Sequence, residues 1–168
     1  MMIKFKNLFR TSAAILVALL IVVPPSAAQV NKQPAKQMLE RPAVNKKLHH
    51  LVLQVNTNDP ATMNLALNNA TNVAQYYKDL GENVAIEVVT FGPGLHMLRD
   101  DTSPVKARIK AIKESTPSIS FKACGNTQEN MRKVENKEIP IIPEATIVKS
   151  GVVRVMELQE QGWTYVRP

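Results

Sequence analysis

The chain has 168 residues, of which 45% are hydrophobic, and its 21 basic and 14 acidic side chains give a formal net charge of +7. No basic run is interleaved with aromatic residues, so the charge gives no reason to expect a nucleic-acid partner. With one cysteine, an internal disulfide is excluded.

The first residues have the pattern of a signal peptide. Lys4, Lys6 and Arg10 form a basic region without acids, and an apolar run follows from Ala13 to Val23. Small residues then precede a cleavage site after Ala28. The run is shorter than the roughly twenty residues that a membrane-spanning helix needs, which disfavours an uncleaved anchor. We therefore predict a signal peptide over 1–28, export to the periplasm or medium, and no membrane attachment after cleavage.

Residues 29–47 contain two prolines and no apolar period, which is typical of a mobile leader. The globular domain is predicted over 48–168. Its first strand is the apolar run Leu51–Val55. Asp59 then provides an N-cap and Pro60 a first helical position, and the helix ends at Gly81.

A second buried strand is predicted from Val84 to Phe91, and Gly92-Pro93-Gly94 turns the chain at its end. Ser103 and Pro104 are expected to start a second helix. Its basic residues are most simply a solvated face.

A third strand runs from Ser118 to Ala123 and leads into Cys124. Asn126, with Glu129 three residues later, resembles a capping box, which predicts a third helix to about Lys137.

A fourth strand is predicted over Ala145–Val148, followed by a helix that Ser150 caps and Gly162 ends. This helix is expected to have four residues on one side: Val152, Val155, Met156 and Gln159. The last strand is Trp163–Arg167. Strands alternating with helices predict an α/β fold, a three-layer α/β/α sandwich with a five-stranded, mainly parallel sheet.

Cys124 is the strongest candidate for chemistry. A thiol at the carboxyl end of a strand and before a helix N-terminus faces free backbone N–H groups, which favour the thiolate. The alternative is an inert, packed side chain, since free cysteine is among the most buried residues. Asn56, Gly92 and His96 follow other strands and are expected at the same edge of the sheet, where ligands bind in such folds.

Four segments stand out together: His50–Asn56, Ile86–Gly92, Phe121–Thr127, and Ser150–Val152 with the closing Gly162–Pro168. In these segments the chain resembles the DsrE/DsrF-like family, in particular its exported single-domain branch. The resemblance implies a DsrEFH-like sandwich that forms homo-oligomers. Its best understood members pass sulfane sulfur as a cysteine persulfide, which implies that Cys124 carries the sulfur and that a donor or acceptor protein takes part.

Other sites are less well supported. His49 and His50 are adjacent and point to opposite faces of a strand, so they cannot both hold one metal ion. The Gly92-Pro93-Gly94 segment lacks the third glycine and the following helix of a dinucleotide fingerprint. We predict no metal and no cofactor.

Three hypotheses remain. In the first, Cys124 reversibly holds sulfane sulfur or a mixed disulfide, with support from Gly125, Asn126, Thr127, His96, Gly92 and Asn56. It requires a sulfur that solvent can reach. In the second, the protein is a non-catalytic oligomeric module that binds a small ligand or partner, and Cys124 only packs. In the third, Cys124 forms an intermolecular disulfide.

Overall fold

The structure is a computed structural model that describes residues 47–168. The signal peptide and most of the leader, predicted over 1–28 and 29–47, lie outside the described residues. The strands are β1 (Leu48–Val55), β2 (Asn83–Thr90), β3 (Ile119–Cys124), β4 (Ala145–Val148) and β5 (Thr164–Val166). The helices are α1 (Pro60–Asp79), α2 (Lys106–Ser115), α3 (Gly125–Glu135) and α4 (Gly151–Glu160), with a 3₁₀ helix at Gly92–Leu98.

The five strands form one sheet in the order β4-β3-β2-β1-β5, and every neighbouring pair is parallel. The predicted α/β class is therefore confirmed. From β1 to β4 the chain advances in one direction across the sheet, and it then returns to place β5 beside β1. Because crossovers between parallel strands are right-handed, this reversal puts α4 on the face opposite to the other helices.

The two faces have separate apolar cores. On one face, α1, α2 and the 3₁₀ helix pack against β1, β2 and β3, and Met131 of α3 joins this core. On the other face, Val155 and Leu158 of α4 pack against Val52 and Val89. The structure thus has the three layers that the strand and helix pattern predicts.

The start of α1 follows the prediction closely. Asp59 is the N-cap, and its carboxylate accepts hydrogen bonds from the N–H groups of Ala61 and Thr62. Gly81 lies just beyond the helix with a φ of 70°, the left-handed conformation in which glycine commonly ends helices.

The prediction for the start of α2 is wrong by two residues. Ser103 donates its hydroxyl to the carbonyl of Met97 and accepts the N–H of Val105. This arrangement forms a turn before the helix, which begins at Lys106.

Of the four residues predicted to share one side of α4, only Val155 is buried. Gly151 and Leu158 complete the buried side of this helix, whereas Val152 and Met156 are exposed. The inner face begins with a glycine, which the apolar pattern does not reveal.

Candidate functional site

Cys124 ends β3 and is itself the N-cap of α3. The N–H of Thr127 donates a hydrogen bond to Cys124 Sγ at 3.4 Å. The predicted capping role of Asn126 is therefore wrong. Its backbone N–H instead donates to the carbonyl of Lys149 at 3.1 Å, which ties the first turn of α3 to the segment before α4.

The sulfur lies where the two layers of helices separate. Helix α3 leaves β3 toward one face of the sheet, and α4 leaves the neighbouring β4 toward the other face. In open α/β sheets, ligands bind in the crevice that forms at such a switch point. Cys124 lies at the carboxyl end of β3 opposite Val148 of β4, so it occupies that crevice.

Gly151, the first residue of α4, packs directly against the cysteine. A Cβ atom at this position would lie 3.2 Å from Cys124 Cβ and 2.9 Å from Phe91 Cδ1. The second distance is too short for real carbon atoms, so only glycine fits here without displacement. The N-termini of α3 and α4 therefore meet at one thiol.

Burial raises the pKa of the Cys124 thiol, but hydrogen bonds lower it by more, and the net shift is downward. The hydroxyl of Thr127 is the largest of the lowering contributions, followed by the backbone N–H groups of Gly151, Thr127 and Asn126. Polar groups at the starts of both helices thus favour the thiolate, as expected for a thiol at a helix N-terminus.

Gly92 reaches the site through Thr127. Its N–H donates to Thr127 Oγ1 at 3.0 Å, and the same hydroxyl helps to lower the pKa of the Cys124 thiol. Gly92 has a φ of 52°, in the left-handed region that glycine adopts most easily. The ends of β2 and β3 are therefore linked through one hydroxyl.

His96 lies beside this network but is not part of it. Its Nδ1 pairs with Thr102 Oγ1 at 2.8 Å, and within residues 47–168 no hydrogen bond joins it to Cys124. A groove of about 390 Å³ is lined by His96, Gly92 and Thr127, together with residues of α3. His96 and Thr127 thus line the same groove.

The other two candidates, Gly125 and Asn56, make no hydrogen bond to the sulfur among the described residues. Gly125 packs beside the end of β4, where a Cβ would lie 3.2 Å from the carbonyl oxygen of Val148. Asn56 lies beside Gly94 of the 3₁₀ helix. It has no side-chain hydrogen bond to Cys124 among the described residues.

The expectation of a solvent-reachable sulfur is not met. Cys124 is only 4% exposed, although its sulfur points toward the helix amides rather than away from them. The residue thus combines the burial of an inert cysteine with the hydrogen bonds of an activated one.

Sequence reasoning missed Gly151 and Phe91. The signal that could have found Gly151 is topological: a helix that crosses back over the sheet must begin beside the strand that precedes the reversal. The sequence indicates that α4 starts near Ser150 and Gly151. It does not show that β4 lies beside β3, and only that pairing places Gly151 next to Cys124.

The two adjacent histidines contact different side chains, although both line one groove. His49 Nε2 pairs with Glu82 Oε2 at 2.5 Å and its ring stacks on Tyr77 at 3.8 Å, whereas the ring of His50 lies 4.9 Å from that of Trp163. Both line a groove of about 560 Å³ between α1 and β5, at the opposite end of the sheet from Cys124.

Over residues 47–168, no three side chains from His, Cys, Asp and Glu are grouped so as to hold a metal ion. In the same range, no helix has the length and apolar character needed to cross a membrane.

The fold is similar to that of a solved protein of unknown function, MTH1491 from Methanobacterium thermoautotrophicum. The two are 26% identical with a TM-score of 0.60, and the match covers 71% of this chain and 99% of that chain. No protein-family model matches the sequence. No curated protein matches it either.

Proposed function

We propose that this chain is an exported DsrE-like protein that carries sulfane sulfur, or takes part in thiol redox chemistry, through Cys124. It acts as a carrier more than as a turnover enzyme, with a sulfur donor or acceptor protein as partner. Export follows cleavage near Ala28, and N-terminal sequencing of the mature protein tests that step.

One observation carries the proposal: the N–H of Thr127 at the start of α3 donates to the sulfur of Cys124, and the first residue of α4 packs against the same cysteine. Two helix N-termini near one atom favour a negative charge on it. The thiolate is the nucleophilic form of cysteine. The resemblance of the Phe121–Thr127 segment to the DsrE/DsrF-like family supports the same assignment.

The transfer step needs no external oxidant. The Cys124 thiolate attacks the terminal sulfur of a persulfide donor, R–S–SH, and a new S–S bond forms as the old one breaks. The donor leaves as R–S⁻ and takes a proton from solvent, while Cys124 holds the persulfide. The Cys124 persulfide then loses its proton to solvent, and the N-termini of the two helices favour the resulting negative charge.

Mass spectrometry of the intact protein after polysulfide treatment tests the proposal. We expect one added sulfur on the wild-type chain, removed by dithiothreitol, and none on Cys124→Ser. An unmodified wild-type chain, under conditions that label an unfolded cysteine peptide, contradicts it.

The low exposure of Cys124 favours a second candidate, a non-catalytic module that binds a small ligand or partner and in which the cysteine only packs. Titration of the native protein with a thiol reagent separates the two. Reaction that begins only when the whole chain unfolds supports the packing role.

Homo-oligomer formation is part of both candidates. The surface we propose for a second copy is that between α1 and β5, defined by Leu65, Tyr76 and Val166, which are exposed apolar residues. The outer edge of β5 adds backbone groups that no strand of the described chain pairs, and such edges are templates for association.

A further inference from the structure

We propose that the first turn of α4 is a gate over Cys124, and that the ion pair between Arg154 and Glu87 holds it closed. The gate regulates access to the candidate site, so its purpose rests on the proposed function. The contacts that cover Cys124 do not depend on that function.

The covering element over the thiol is specific. Gly151 packs against both Cys124 and Phe91, with no space for a single additional methyl group. Cys124 is 4% exposed, so a reagent must displace part of the surrounding protein to reach the sulfur. Since Gly151 is the first residue of α4, a shift of that helix end uncovers the thiol without disturbing β3.

Arg154 fixes this turn to the sheet. Its N–H donates to the carbonyl of Ser150, which closes the first turn of α4. Its guanidinium makes two hydrogen bonds to the Glu87 carboxylate, Nη2 to Oε1 at 2.6 Å and Nε to Oε2 at 3.0 Å. Glu87 lies on β2 and is buried, so the pair spans the layer between the helix and the sheet.

Little else holds the turn. The large apolar contacts of α4 come from Val155 and Leu158 in its later turns. The Ser150 side chain makes no capping hydrogen bond, and Val152 and Val153 are exposed. Besides the packing of Gly151 on Cys124 and Phe91, the Asn126 N–H bond to the Lys149 carbonyl, at 3.1 Å, also ties this end of the helix.

A closed gate suits a sulfur carrier because a persulfide is readily lost to water-borne nucleophiles. Exclusion of water also strengthens the hydrogen bonds from the two helices. Contact with a partner protein at the exposed start of α4 then opens the site where sulfur is transferred.

The test measures the alkylation rate of Cys124 in the folded protein with iodoacetamide, in increasing urea below the unfolding transition. Local opening exposes little surface, so we expect a slow rate that is nearly independent of urea. Arg154→Gln is expected to raise this rate about tenfold, within the range for losing hydrogen bonds to a charged group. Arg154→Lys, which keeps the charge, recovers part of the protection.

Arg132→Gln is the matched control, because Arg132 makes a similar two-bond pair with Glu129 on the exposed side of α3. Its alkylation rate should equal that of the wild-type chain. A second measurement uses the unaltered protein at high salt, which screens the partly exposed pair and should also speed alkylation.

Three results overturn the gate: wild-type alkylation as fast as in an unfolded peptide, an unchanged rate in Arg154→Gln, or a rate that rises steeply with urea, as global unfolding requires. Failure of the proposed function looks different. In that case Arg154→Gln still speeds alkylation, but polysulfide leaves no sulfur on Cys124 in either chain.

Discussion

The N–H of Gly92 donates to the hydroxyl oxygen of Thr127 at 3.0 Å, although 35 residues separate the two in the chain. The backbone N–H of the same threonine donates to Cys124 Sγ at 3.4 Å, and its hydroxyl helps to lower the pKa of the Cys124 thiol. A turn at the end of β2 thus holds in place a residue that acts on a thiol at the end of β3.

Removal of the Thr127 hydroxyl therefore tests whether this residue lowers the pKa of Cys124. Thr127→Val keeps the shape but removes the hydroxyl that helps to lower the pKa of Cys124, so we expect that pKa to rise. The N–H of Gly92 also loses its partner, which should lower the free energy of unfolding by about 1–2 kcal/mol. Thiolate ultraviolet absorbance as a function of pH measures the first effect, and urea denaturation measures the second.

Thr127→Ser is the matched control for this substitution. It restores the hydroxyl, so both the thiol pKa and the stability should return most of the way to the wild-type values. If the valine variant titrates like the wild-type protein, the hydroxyl does not act on the sulfur.

Local signals predicted the parts of the fold that depend on neighbouring residues. Asp59, Pro60 and Gly81 are adjacent to the helix that they delimit, and α1 follows their pattern. The cap of α3 was different. Asn126 has the better capping side chain, but β3 continues to Cys124 because its last residue pairs with Val148 of β4, and this pairing is not visible in the local sequence.

The candidate site was only partly predictable from the sequence for the same reason. Its cysteine and its position at the carboxyl edge of the sheet could be predicted from the order of strands and helices. Contact between Gly151 and Cys124 could not, because it depends on β4 lying beside β3 and on α4 crossing the opposite face. Burial of the sulfur follows from that same contact.

The thiol of the folded protein should titrate below the pH at which it titrates in concentrated urea. Its pKa is lowered in the fold, since the hydrogen bonds outweigh the effect of burial. The stability that the thiolate contributes should therefore be fully present above the unfolded pKa, and it should be lost as pH falls from that value through the folded pKa. Urea denaturation across this range measures the change.

Cys124→Ser serves as the control for that pH dependence, because serine does not ionise there. Its stability should be flat over the same interval, and its absorbance provides the blank for the thiolate. Equal thiol pKa values with and without urea would mean that the two helix ends do not stabilise the anion.

The surface between α1 and β5 gives a prediction about assembly. Tyr76 is 61% exposed and packs edge-on against Tyr77 at a ring distance of 5.3 Å. If a second copy covers it, Tyr76→Glu should weaken association by about 2 kcal/mol or more, as for a central aromatic residue of an interface. Analytical ultracentrifugation of the wild-type and variant proteins measures the shift.

Val134→Glu is the control for assembly, because Val134 on α3 is 86% exposed and distant in the fold from this surface. It introduces the same charge and should leave the assembled mass unchanged. A wild-type protein that sediments as a monomer contradicts the proposed surface, and so does loss of assembly in the control alone.

Arg99 gives the last prediction, on acid stability. This fully buried guanidinium pairs with Asp101 and with Glu135 of α3, and so ties the segment before α2 to the end of α3. The hydrogen bond from Arg99 is the largest influence on Glu135 and lowers the pKa of its carboxyl from 4.5 to about 2. The pKa of Asp101 is also lowered, with its hydrogen bond to Arg99 as the main cause.

Because the folded pKa is depressed, the stability that Glu135 contributes is fully present above pH 4.5 and is lost as pH falls through about 2. Glu135→Gln should be less stable than the wild-type chain at neutral pH and should lose less stability between those two values. Urea denaturation at several pH values measures both curves.

Glu138→Gln is the control for this prediction. It removes the same charge at a side chain that is 88% exposed, and it should keep the wild-type curve. Parallel curves for the wild-type chain and Glu135→Gln would mean that the Arg99 cluster does not couple protonation to folding.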